Sequence, residues 1–268
     1  MRETAYAKIN LALHVRSREP DGYHRIETLF AFCEDGDELE VELADGLDLR
    51  VDGPMSEGLV DETDNLVLRA ARLLQRGGEG VSLRLTKCLP VAAGLGGGSA
   101  DAAAALRLLN RFWSLDLDTE RLLRFAASLG ADVPACIASI SARGEGRGDR
   151  LRPVEIGLSG TPILLVNPAK ALSTAGVFRG WDGIDRGPLS DDWMGGRNDL
   201  EPIALAMVPE IGDVLERLRS QSGVRLARMS GSGATCFALF DSDAARDAAS
   251  VAIVAERPGW WQLATRLR

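Results

Sequence analysis

The chain has 268 residues, 46% of them hydrophobic and 26% charged, with a formal net charge of −8. A chain of this length buries roughly three quarters of the surface it exposes when unfolded, which excludes a disordered polymer or a disulfide-stapled miniature. The acidic balance argues against nucleic acid or an anionic membrane as partner, since both are bound through dense Lys/Arg patches, while a small anionic ligand stays compatible with it.

From residue 5 to 15, Ala5, Ala7, Ile9, Leu11, Leu13 and Val15 alternate with Tyr6, Lys8, Asn10 and His14, which predicts a half-buried strand. Pro20-Asp21-Gly22 is a turn signal. Residues 26–33 and 38–43 read as two further strands of an antiparallel meander. Helical periodicity follows over 65–74, alternation over 81–89, and helices over 100–113 and 119–129, with Gly130 placed for a left-handed cap. The Gly- and Arg-rich stretch 141–152 predicts a hairpin or a crossing, and the domain boundary is expected near 150. Beyond it the order is strand 162–166, helix 210–220, strands 225–229 and 235–240, helix 243–256 and strand 260–264. That is a β-α-β-β-α-β, ferredoxin-like layout. Residues 174–198 form an irregular insertion.

Cys33, Cys88, Cys136 and Cys236 lie dozens of residues apart, and only His14 and His24 could join them, so zinc and redox-pair readings fail. Apolar runs stay short of a membrane span, and Lys8 stands where a signal peptide needs its hydrophobic centre. A reduced, cytoplasmic protein without a membrane partner is expected, as a monomer or weak homodimer.

Glycine is in surplus, 29 residues where average usage gives roughly 19. The most specific feature is Gly94-Leu95-Gly96-Gly97-Gly98-Ser99-Ala100-Asp101, between the strand ending near Leu89 and the helix expected from Ala100. Glycines allow close backbone approach, and a helix start adds about half a positive charge, so the trio makes an anion cradle. It matches neither the Walker pattern nor the dinucleotide fingerprint. A plain loop with Ser99 as helix cap is the alternative. Ser230-Gly231-Ser232-Gly233-Ala234 is a second, weaker glycine-serine loop.

Ala7-Lys8-Ile9-Asn10-Leu11, Asp21-Gly22-Tyr23-His24 with Thr28-Leu29-Phe30, Asp64-Asn65-Leu66, the run from Pro90 to Ala103, Leu129 to Pro134, and Ser230 to Phe240 stand in one order along the chain. Together they resemble the GHMP kinase superfamily over nearly the whole length. The Asp-Gly-Tyr-His element and the triple glycine before Ser99 resemble the branch that phosphorylates a tertiary hydroxyl of a cytidine-diphosphate-linked polyol in the non-mevalonate route to isoprenoid precursors.

The resemblance implies an α+β, two-domain GHMP kinase fold. A nucleotide-binding domain over 1–150 would contain a left-handed βαβ unit, a ferredoxin-like domain would cover 151–268, and the active site would lie between them. It implies ATP as phosphoryl donor with Mg²⁺. Asp132 matches the family's base and Lys8 its partner, although Asp132 also stands where an N-cap would precede Pro134, and alternation alone makes Lys8 a solvent-facing strand lysine. Pro90, Val91, Ala92, Ala93, Gly94, Leu95, Gly96, Gly97, Gly98, Ser99 and Ala100, with Asn65 and Lys87 on the adenosine side, are implied as ATP contacts, and Ser99 as the candidate for touching Mg²⁺ or the β-phosphate. Asn10, Tyr23, His24, Thr174 and Phe178 are implied as substrate contacts: Asn10 on the polyol, Tyr23 and Phe178 on the two faces of the cytosine, His24 on its edge.

The chain also departs from the family. Ala100 replaces a second serine, Ala169 follows Pro168 where glycine is usual, and 142–150 matches loosely. A mevalonate- or homoserine-type kinase, a non-catalytic nucleotide-binding regulator and a decarboxylase on the same scaffold are the rival readings.

Overall fold

The computed structural model describes residues 1–57, 59, 65–77 and 80–268. Asp64, part of the family-like Asp64-Asn65-Leu66 element, lies outside them. The chain divides into two compact units, one of residues 1–8, 35–91 and 96–139, the other of residues 9–34, 92–95 and 140–268.

Strands β1 (Arg2–Arg18) and β2 (His24–Ala44) are longer than the patterns predict and run through both units. The two strands expected at 26–33 and 38–43 are one. Gly36 keeps the chain extended between them, because a Cβ there would lie 1.9 Å from the Ala5 carbonyl oxygen, a distance only glycine permits. The half-buried expectation for β1 is also corrected. Its apolar face is buried, and so are Lys8, Asn10 and His14 on the other, each against polar partners.

In the first unit, β3 (Leu47–Asp52) and β4 (Gly80–Thr86) pair in parallel across helix α1 (Leu66–Leu74), a βαβ unit, and β4 pairs antiparallel with the second half of β2. Helices α2 (Gly97–Phe112), α3 (Thr119–Leu129) and α4 (Val133–Ala138) pack on one another. In α2, Ala102 to Ala105 with Leu106, Leu108 and Leu109 are fully buried. Each such leucine contributes about 1.5–3 kcal/mol. Small residues on so many sides of the helix let its neighbours approach closely. Gly130 does not adopt the expected left-handed cap; its φ is 165°, extended. The next helix starts three residues on, and the Gly130 carbonyl accepts the Val133 N–H at 3.3 Å, closing a turn that leads directly into it.

In the second unit the Gly-Arg stretch is a hairpin, β5 (Ala142–Glu145) with β6 (Arg150–Pro153), and β5 pairs with the first half of β2. Strands β7 (Pro162–Asn167), β8 (Val224–Met229), β9 (Cys236–Phe240) and β10 (Trp261–Arg266) form an antiparallel sheet in the order β10-β7-β9-β8. Helices α7 (Glu210–Arg219) and α8 (Asp243–Glu256) pack on it, giving the ferredoxin-like layout. The insertion contains α5 (Thr174–Arg179), with α6 (Glu201–Met207) just beyond it. It is tied to β1 by Leu13 N–H to the Arg197 carbonyl, Asp199 N–H to the Leu13 carbonyl, both 2.9 Å, and Val15 N–H to Asp199 Oδ2 at 2.8 Å.

Ala169, the departure after Pro168, has φ +55°, which explains why glycine suits the position. A non-glycine residue there costs roughly 1–2 kcal/mol. Glycine loses part of that gain through its more flexible unfolded chain, about 0.4–1 kcal/mol. Ala169→Gly is therefore expected to raise Tm slightly, by about 2 °C in a chain of this size, measured by thermal melting.

Candidate active site

Lys8 is 4% exposed and donates from Nζ to Asp132 Oδ2 at 2.8 Å. Asp132 occupies the N-cap position of α4 but has helical backbone angles, and its side chain makes no cap hydrogen bond. The capping alternative is thereby removed, and the carboxylate is oriented by the lysine, with 38% of its side chain open to solvent. The family-like pair is thus in contact across 124 residues of sequence. Gly96 makes room for it: its φ is +62°, and a Cβ there would lie 2.8 Å from Lys8 Cε.

The N-cap of α2 is Gly96, three residues before the expected cap Ser99, and no side chain caps it. Ser99 is therefore inside the first turn and is not the cap. The N–H groups of Gly97, Gly98 and Ser99 head a sixteen-residue helix at the positive end of its dipole, the arrangement that binds phosphate. Ala100 is buried, so the position of the missing serine faces packing.

Lys87 and Asn65 take structural posts. Asn65 caps α1, its Oδ1 accepting the Val67 N–H at 2.9 Å. Lys87 is 3% exposed and donates to Asp101 Oδ2 at 2.6 Å and to Asp37 Oδ2. Asp37 Oδ1 in turn accepts the N–H groups of Cys88 at 2.6 Å and Leu89 at 2.8 Å, the residues leading into the loop. A Cβ on Gly97 would lie 3.5 Å from Lys87 Nζ, so this triad underlies the first residue of α2. Burial alone would lower the Lys87 pKa; Asp101 and Asp37 outweigh it and hold it above the ordinary lysine value. Burial pushes the Asp101 carboxyl up to about 8, against Lys87 and with the repulsion of Asp37 adding to it.

In the second unit, Asn10 donates from Nδ2 to Thr28 Oγ1 at 2.7 Å, and its N–H reaches Ser230 Oγ at 3.1 Å. Ser230 Oγ donates to the Gly94 carbonyl at 2.8 Å, and the Thr235 N–H to the Ala93 carbonyl at 3.2 Å, so the start of the main loop, residues 92–95, is fastened to the second one. A Cβ on Gly94 would meet the Ser230 carbonyl oxygen at 2.4 Å, and one on Gly231 would meet Asn10 Oδ1 at 3.1 Å. Thr174 Oγ1 lies 2.9 Å from Ser232 Oγ. Pro90 and the exposed Val91 precede the loop, Ala92 has φ +52°, and Leu95 is buried.

His24 and Phe178 come together with ring centroids 5.2 Å apart, joined by Trp181 edge-on to His24 at 5.6 Å. Tyr23 is 56% exposed, and the Arg147 guanidinium lies 4.2 Å from its ring centroid while pairing with Glu19 and Asp21. Sequence reasoning missed Trp181, Arg147 and Asp37. Trp181 sits in the irregular insertion and Arg147 in the loosely matching hairpin. Asp37 left no trace either, since residues 34–37 read as a break between two strands.

Residues 65–139 match the family described as GHMP kinases N terminal domain, and residues 189–256 match GHMP kinases C terminal. The chain belongs to the GHMP kinase family. Within that family it is 54% identical to the 4-diphosphocytidyl-2-C-methyl-D-erythritol kinase of Rhizorhabdus wittichii, over 99% of this chain and 94% of the relative. It is 52% identical to the enzyme of the same name from Sphingopyxis alaskensis, over 100% and 99%. A crystal structure of 4-(cytidine 5'-diphospho)-2C-methyl-D-erythritol kinase superimposes with a TM-score of 0.84 at 35% identity, covering 100% of this chain and 99% of that one. A mevalonate kinase shares the fold, with a TM-score of 0.73 at 11% identity, covering 100% and 99%.

Proposed function

We propose that this protein transfers the γ-phosphoryl group of ATP to the 2-hydroxyl of 4-diphosphocytidyl-2-C-methyl-D-erythritol, in the non-mevalonate route to isoprenoid precursors. The observation that carries the reading is the Lys8–Asp132 pair, whose carboxylate serves no helix cap and keeps solvent access. Phosphoryl transfer asks for positioning, charge stabilisation and a group to take the hydroxyl proton. Lys8 holds Oδ2 of Asp132, leaving Oδ1 to take the proton. As it leaves, the alcohol oxygen bonds to the γ-phosphorus, the bond from that phosphorus to the β,γ-bridging oxygen breaks, and ADP departs with the electron pair. The Lys8 ammonium offsets the charge gathering on the transferred group.

The N–H groups of Gly97, Gly98 and Ser99 fit the donor's phosphates, and Asn10, Tyr23, His24, Thr174 and Phe178 fit the nucleotide-linked alcohol. In this reading residues 1–150 form the nucleotide-binding domain and 151–268 the ferredoxin-like one. Among the described residues no cluster of three His, Cys, Asp or Glu side chains could cage a metal. Ser99, in the first turn of α2, offers Oγ beside the helix-start N–H groups, which fits Mg²⁺ arriving with ATP, since that ion keeps waters and takes phosphate oxygens with few protein ligands. Bound there, it would neutralise phosphate charge. No described helix is long and apolar enough to cross a membrane.

The test is ADP release with 4-diphosphocytidyl-2-C-methyl-D-erythritol, free methylerythritol, mevalonate and homoserine as acceptors. Turnover of the first alone is expected. Turnover of mevalonate or homoserine alone would overturn the substrate assignment, and carbon dioxide release would favour a decarboxylase.

A further inference from the structure

We propose that Arg18 is a positioning residue that locks His24 as the neutral Nδ1–H tautomer, and so sets a preference for cytosine over uracil in the nucleotide-linked alcohol. The specificity half rests on the substrate reading above; the lock does not.

The argument starts from donor chemistry. Arg18 Nε lies 3.2 Å from His24 Nε2. A guanidinium has five N–H donors, no acceptor, and keeps its proton at any pH a protein survives. Nε2 must therefore offer a lone pair. That excludes the imidazolium, in which both nitrogens carry protons, and it excludes the Nε2–H tautomer. The single ring proton is left on Nδ1, for which no described residue supplies a hydrogen-bond partner.

Arg18 is itself held in place. Its Nη2 donates to the carbonyls of Arg179 at 3.0 Å and Trp181 at 3.1 Å, at the end of α5 and just beyond it. The same short helix carries Phe178, which packs on the His24 ring, and Trp181 closes the ring edge-on at 83°. His24 is 6% exposed, so its ring has little room to turn over. Burial, with the Arg18 charge adding to it, lowers the His24 pKa below the ordinary value, in keeping with a neutral ring.

An imidazole fixed in this way can donate from Nδ1 and cannot accept there. O2 accepts in both bases, and they differ at position 3, where cytosine N3 accepts and uracil carries an N–H, so a donor set against position 3 favours cytosine. Placing two donors against each other leaves both unpaired in a buried site, and one base contact of this kind is worth about 1–3 kcal/mol of discrimination. At 1.36 kcal/mol per tenfold, the expected preference is about 5- to 160-fold.

The chain has two histidines, His14 and His24, which makes the lock directly observable in the full-length protein. Long-range ¹⁵N–¹H spectra of the ¹⁵N-histidine-labelled protein near neutral pH, assigned with His14→Gln, should show His24 with a protonated Nδ1 and a bare Nε2. A protonated Nε2 in the unsubstituted protein overturns the proposal, whatever the substrate. In Arg18→Met the His24 signals should move toward the Nε2–H form. The ratio of kcat/KM for the cytidine-linked over the uridine-linked alcohol should fall at least about 5-fold, with the loss in KM for the alcohol and not in KM for ATP. An Nδ1–H ring with equal turnover of both alcohols overturns the specificity role. Turnover of neither removes that role together with the functional reading, while the spectra still decide the lock.

Discussion

Asp132→Asn is expected to lower kcat by at least about 10²-fold, the scale of a lost general base, with little change in KM for ATP. The amide keeps the shape of the side chain and can still accept from Lys8, so the α4 start should survive; no cap bond is lost because none exists. What disappears is the group that takes the alcohol proton. Steady-state kinetics at saturating ATP check this, and a near-normal kcat would remove Asp132 from the mechanism. Lys8→Met should be comparably slow. It releases Asp132 from its orientation and removes the cation that offsets charge on the transferred phosphoryl group.

Lys87→Met is expected to destabilise the folded chain by about 3–5 kcal/mol, the cost of leaving the buried Asp37 carboxylate and Asp101 carboxyl without their cation. Asp37 and Asp101 are both within the buried set, and Asp101 Oδ1 already has no hydrogen-bond partner. Urea denaturation reads the loss. A variant of unchanged stability with a raised KM for ATP would instead support the adenosine-side role that the family resemblance implies for Lys87. Asp101 adds a pH signature. Its carboxyl titrates at about 8 in the folded chain against 3.8 in an ordinary environment. Between those values the folded state binds a proton that the unfolded state has released. The contribution is therefore complete below about pH 4 and is lost as pH rises toward 8. Stability should decline across that window, and Asp101→Asn, which has no proton to lose, should flatten the decline.

Much of the architecture was legible in local pattern. The alternation of β1, the ferredoxin-like order after residue 160 and the glycine loop before α2 are short-range signals, set by side-chain period and glycine backbone freedom. Errors gathered where a distant partner decides the outcome. Residues 34–37 look like a break between strands, yet the chain stays extended because Gly36 lies against Ala5 and Asp37 is held by Lys87. Ser99 has the right identity for a cap, but Gly96 takes that place because Lys8 passes close to it. Gly130 stands at a helix end as a left-handed cap should, yet its φ is extended and its carbonyl takes the Val133 N–H in the turn that leads into α4.

The candidate site divides along the same line. The glycine loop was legible locally, since the glycine requirement is written in the loop itself, whereas Lys8 and Asp132 were named only through the resemblance to the GHMP kinases. Alternation alone makes Lys8 a solvent-facing strand lysine, and Asp132 also stands where an N-cap would. Whether Asp132 caps a helix or faces a lysine, and whether Lys87 stands free or is committed to two carboxylates, were decided only by tertiary contacts. Those depend on which charges meet away from water, and a side chain's neighbours 50 or 124 residues away leave no periodic trace in the sequence.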